Sequence, residues 1–96
     1  MPKAYWITRA EVSDAESYKK YAENTAAAMQ KYGGRFLARG GKMETMEGSG
    51  MSRNVVIEFK DFATAKACYE SPEYQAARQH RLGKADFNLV IVEGVE

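Results

Sequence analysis

Ninety-six residues suffice for one small domain, 1–96, because no stretch of the chain is long or polar enough to act as a linker. Fourteen basic against thirteen acidic side chains leave a net charge of +1, which gives no electrostatic reason to expect nucleic acid or an anionic membrane as partner. Cys68 is the single cysteine, so an internal disulfide and a cysteine metal cluster are excluded, and no apolar run approaches membrane-spanning or signal-peptide length. The cytoplasm is the expected location.

Residues Ala4 to Val12 are rich in aromatic and β-branched types and predict the first strand, with apolar side chains on both faces. Ser13-Asp14-Ala15-Glu16 reads as a capping box that opens a helix with Ser13 as the cap. Within that helix Ala15, Tyr18, Ala22, Thr25, Ala26 and Met29 recur at three- and four-residue spacing, which makes them the inward face, and Gly33 supplies the left-handed stop. Between two glycine pairs the pattern then changes from helical to alternating. Arg35 to Arg39 predict the second strand, with Phe36 and Ala38 on one face and Arg35, Leu37 and Arg39 on the other, and Lys42 to Glu47 extend it past a glycine bend. Arg53 to Phe59 predict the third strand, with Val55, Ile57 and Phe59 sharing a face. Asp61 caps a second helix that carries Phe62, Ala65, Cys68 and Tyr69 inward. Ser71-Pro72 interrupts and restarts it, and its later half runs to about Leu82 before Gly83. Arg78, His80, Arg81 and Lys84 form a solvated basic face there. Phe87 to Glu93, almost continuously apolar, predict a fourth strand covered on both sides.

The order β-α-β-β-α-β is the split βαβ, an α+β fold of ferredoxin-like type: a four-stranded antiparallel sheet with two helices on one face. Two helices cover only one side, yet Trp6, Val56 and either Val90 or Leu89 are expected on the other. An apolar sheet face of that size is covered most economically by a second copy packed across a two-fold axis. A homodimer with a shared, barrel-like core is the expectation.

A resemblance leads to the same architecture. Tyr5-Trp6-Ile7, the run from Tyr32 to Gly41, Val56-Ile57-Glu58-Phe59, Ser71-Pro72-Glu73-Tyr74-Gln75 and Val90-Ile91-Val92-Glu93-Gly94 resemble the domain of unknown function 1330 family of the dimeric α/β-barrel superfamily. The resemblance spans Tyr5 to Val95 and implies the ferredoxin-like fold and a face-to-face dimer. Relatives in the superfamily include cofactor-free antibiotic-biosynthesis monooxygenases, haem-degrading enzymes and small isomerases, and their ligands lie in a cleft between sheet and helices.

Candidate site residues follow from side-chain chemistry. Arg35 and Arg39 are in phase on a strand and form a clamp for an anion, unless Arg39 pairs with Glu58 or Asp86 instead. Inward phenols on the helices, from among Tyr18, Tyr21, Tyr69 and Tyr74 and with Tyr18 and Tyr69 first, orient a carbonyl or phenolic ligand, and Trp6 offers a stacking surface. For proton transfer the candidates are His80 and, as a base beside it, Asp86. Cys68 is expected in the core. No phosphate loop and no aromatic RNA-binding signature is present, and no metal site or cofactor is expected. The leading expectation is a small cytoplasmic homodimer that binds an aromatic or anionic organic molecule between sheet and helices, with or without cofactor-free monooxygenase or isomerase-type chemistry. The alternatives are haem handling through His80 and a non-catalytic dimerisation or sensing module.

Overall fold

The computed structural model describes residues 2–95. In chain order the elements are β1 (Ala4–Val12), α1 (Ala15–Tyr32), β2 (Arg35–Arg39), β3 (Arg53–Phe59), α2 (Phe62–Glu70), α3 (Pro72–Arg78) and β4 (Ala85–Glu93). The strands make one sheet in the order β2-β3-β1-β4, and each neighbouring pair is antiparallel. This is the ferredoxin-like arrangement expected from the sequence.

Local chemistry sets the helix ends. Asp14, not Ser13, caps α1: its carboxylate accepts from the Ser17 N–H at 3.1 Å. The Ser13 hydroxyl instead donates to the Lys84 carbonyl at 2.8 Å and ties the end of β1 to the approach to β4. Gly33 closes α1 at φ 71°, the left-handed conformation that glycine adopts without steric cost. Asp61 caps α2 through the Thr64 N–H. Ser71 makes the helical break in two directions, donating its hydroxyl to the Cys68 carbonyl and accepting from the Tyr74 N–H, while Pro72 starts α3. Helix α3 ends at Arg78, before the expected Leu82, because residues 79–84 form successive turns.

Strand β2 departs from simple alternation. Phe36 pairs with Ile57, but Ala38 pairs with Val56 and Arg39 with Val55, so a bulge at Leu37 shifts the register. The shift moves Arg39 to the same face as Phe36 and leaves Arg35 on the opposite face. The expected extension of β2 through Lys42 to Glu47 is absent: residues 40–52 form a loop. That loop returns over one end of the sheet, where Arg9 Nη2 donates to the Ser49 carbonyl and the Ser52 hydroxyl donates to Glu11.

The core lies between sheet and helices. Trp6, Ala10, Val55, Ile57 and Phe59 face inward from the strands and meet Tyr18, Tyr21, Ala28 and Met29 of α1 and Ala65, Cys68, Tyr74 and Ala77 of α2 and α3. Trp6 therefore belongs to the covered face, contrary to expectation: with apolar residues at both Tyr5-Ile7 and Trp6, alternation alone leaves the choice of face open, and the indole settles it by donating to the Ala65 carbonyl at 3.0 Å. Rotation of α1 differs likewise, since Tyr21 and Ala28 are buried where Ala15 and Ala26 are exposed. Phe62 is exposed and not inward. On the other face Ala38, Val56, Ile7 and Val90 stand in register across all four strands. Ile7 is 38% and Val90 57% exposed there, so β4 is covered on one side only.

Candidate functional site

The helical layer does not rest evenly on the sheet. Helix α2 packs against β1, β3 and β4, whereas α1 leans chiefly on α2 and α3 and bridges over the β2–β3 half. Beneath α1 this leaves a cavity of about 30 Å³, with Trp6, Thr8, Val55 and Ile57 as floor and Tyr18, Tyr21 and Thr25 as roof. Phe36, Arg39 and Arg53 form its side. Such a space holds about one or two water molecules. Outside it lies an open depression of about 370 Å³ lined by Val12, Ala15, Lys19 and Ala22. Tyr18, Ala22 and Arg53 border both spaces and form the partition between them.

Arginines on this side of the molecule rest on rings. Arg39 lies over Phe36 at 4.1 Å, Arg53 over Tyr18 at 5.4 Å, and Arg81 over Phe87 at 3.7 Å and Tyr21 at 5.2 Å. Among the described residues none of the three has a carboxylate within ion-pair distance. The buried Nε atoms of Arg53 and Arg81 have no acceptor. Arg81, expected in a solvated basic face, is only 7% exposed. The turns after α3 carry it inward, where its Nη2 donates to the Tyr74 hydroxyl at 3.1 Å, and that hydroxyl shares a 2.9 Å hydrogen bond with Tyr21. A glycine makes room for Arg53: a Cβ on Gly40 would collide with its guanidinium, and Gly40 also has φ 66°.

Proton affinities follow from this burial. Desolvation raises the Tyr18 pKa above the usual phenol range, against the opposing charge of Arg53. Tyr21 is raised much further, by burial first and then by its Tyr74 neighbour. Both phenols are therefore neutral donors across the physiological range. Among the described residues no carboxylate and no imidazole lines the cavity.

Of the residues nominated from sequence, Trp6, Tyr18 and Arg39 meet at the cavity. The others lie elsewhere. Arg35 is on the open face, 3.8 Å from Glu58, so the bulge separates the supposed arginine clamp and gives Glu58 to Arg35 in place of Arg39. Tyr69 meets Trp6 edge-on at 6.1 Å and faces a groove between α2 and β4. His80 is exposed in the turn after α3 and does not line the cavity, and Asp86 is exposed on the open face opposite Glu11. Tyr21, weighed among the helix phenols, also lines the cavity, whereas sequence reasoning missed Arg53 and Arg81. Arg53 was legible in principle, being two residues before Val55 and so on the inward face of β3.

A four-stranded antiparallel sheet with its helices on one face makes this an α+β protein of ferredoxin-like fold. Residues 3–95 match the domain of unknown function 1330 family, and the chain belongs to that family. No curated protein matches it. Solved structures match at full length. A protein of unknown function from Rhodopseudomonas palustris has a TM-score of 0.79 at 16% identity, over 99% of this chain and 84% of its own. A dimeric protein of unknown function and ferredoxin-like fold from Bacteroides fragilis has a TM-score of 0.66 at 15% identity, over 96% of both chains. SnoaB, a cofactor-independent oxygenase from Streptomyces nogalater, has a TM-score of 0.67 at 11% identity, over 100% of this chain and 96% of its own. Likeness at these identities establishes the fold. Among the described residues no helix is long and apolar enough to cross a membrane.

Proposed function

We propose that this protein is a homodimeric module that binds a small organic molecule in the cleft between α1 and the β2–β3 half of the sheet. One observation carries the reading: the sheet turns an aromatic, arginine-bordered cavity to its helices and an apolar row to the outside. The cavity is water-sized as it stands, so a ligand enters by displacing the Tyr18–Arg53 partition and joining the inner space to the outer depression. The dimeric relative from Bacteroides fragilis supports pairing, and the exposed apolar row offers the sheet as the surface for it.

Binding is better supported than base catalysis. The hydroxyls of Tyr18 and Tyr21 stay protonated and can orient a ligand oxygen, but among the described residues no carboxylate or imidazole lines the cavity to act as a base. Cofactor-free oxygenation, the activity of the Streptomyces nogalater relative, draws its electrons from the substrate and remains compatible with such a lining. Haem handling finds less support, because His80 stands outside the cavity. A backbone amide NMR screen with small organic molecules tests the reading. Binding should shift Thr8, Thr25 and Val55 together; shifts confined to other surfaces, or none, would remove the cleft from consideration.

A further inference from the structure

We infer that the cleft selects a small organic carboxylate, with Arg53 serving both as the movable wall of the cavity and as the anchor for the anion. The inference rests on the binding reading above and names the ligand class for the same site.

Charge supplies the first argument. The whole chain is close to neutral, yet the cleft concentrates Arg39 and Arg53 on adjacent strands of one sheet face, with Lys19 at the outer lip and Arg81 behind Tyr21. Among the described residues no acidic side chain lines the inner or the outer space. Arg39 lies over Phe36 and Arg53 over Tyr18, and a guanidinium seated on a ring can still grip a carboxylate through two hydrogen bonds from its edge. The buried Arg53 Nε is already without an acceptor.

Shape supplies the second. Behind the two arginines the walls are rings and branched side chains, Trp6, Phe36, Val55 and Ile57, with a threonine hydroxyl at Thr8. An inorganic anion would leave those walls bare, whereas an organic acid with a flat apolar body fills them. Arg53 borders both spaces, so rotation of its long side chain opens the wall without backbone movement. Gly40 keeps the volume beside the guanidinium clear.

Trp6 is the only tryptophan and forms part of the cavity floor, so its emission reports occupancy directly. Phenylacetate and the uncharged phenylacetamide should be titrated against the unmodified protein with excitation of Trp6. Phenylacetate should give a saturable change and bind at least about tenfold more tightly than the amide, as expected of charge-assisted hydrogen bonds. Arg53→Gln should abolish that preference while keeping the thermal midpoint of the parent, and Arg53→Lys should keep only part of it. Equal binding of acid and amide would overturn the inference and leave the cleft reading intact. A response to neither compound, together with an empty NMR screen, would overturn both. The acid–amide comparison needs no variant and decides the matter even if Arg53→Gln fails to fold.

Discussion

Arg81 shows how a charged side chain becomes part of a core. Its guanidinium lies on Phe87 and near Tyr21, and the Tyr74 hydroxyl takes one of its donors. A buried donor that loses its acceptor costs more than a donor removed together with its charge. Tyr74→Phe should therefore destabilise the fold by about 1.5–3 kcal/mol in urea melts, and Arg81→Met by less. The reverse order would mean that the cation is held by something other than this hydroxyl. Gly40→Ala should cost about 1–2 kcal/mol from its left-handed backbone alone, with a further loss from collision with Arg53. Cys68 is buried, and burial pushes its thiol up to about 12, so it should resist an aromatic disulfide reagent until the protein unfolds. The residue types were legible in the sequence, but their partners were not. Arg81 looks like one more base in a basic run, and only the turns after α3 bring it over Phe87.

At the scale of elements, the signals that worked were those whose chemistry is local. Ser71-Pro72 stops one helix and starts another through bonds within a few residues, and Gly33 ends α1 by its own backbone freedom. Adjacent cap formers are harder to separate: Ser13 and Asp14 both suit the position, and the distant Lys84 carbonyl decides between them by taking the serine. The bulge in β2 was invisible for a similar reason, since it depends on the pairing with β3. The cap of α1 yields a pH prediction. The Ser17 N–H holds the Asp14 carboxyl below its usual range, with burial opposing and Lys84 assisting. A depressed folded-state pKa gives stability that is present above the ordinary value of 3.8 and is lost as pH falls through the lower one. Asp14→Ala should accordingly melt below the parent at neutral pH, and the gap should narrow once pH drops under 3.8. A gap of constant size at all pH values would show that the carboxylate charge is irrelevant to the cap.

The whole molecule is a slab, 37 × 33 × 17 Å, with helices on one side and strands on the other. Counting helices against sheet faces made this legible from the sequence. Which side chains face outward was less so, because β1 is apolar on both sides and hides the placement of Trp6. The row Ala38–Val56–Ile7–Val90 crosses every strand, and the loop of residues 40–52 covers only the end near Arg9 and Glu11. Leaving that row in water forfeits the stabilisation that apolar burial provides, about 25 cal/mol for each Å² removed from solvent. Ligand binding and pairing both depend on the sheet having one face for a ligand and one for a second copy. Sedimentation velocity at micromolar concentration, on the parent and on Val90→Glu, measures this most directly. The parent should sediment at twice 10.8 kDa and Val90→Glu at 10.8 kDa with unchanged helical circular dichroism. A parent that sediments at 10.8 kDa, or a Val90→Glu variant that stays paired, would contradict it.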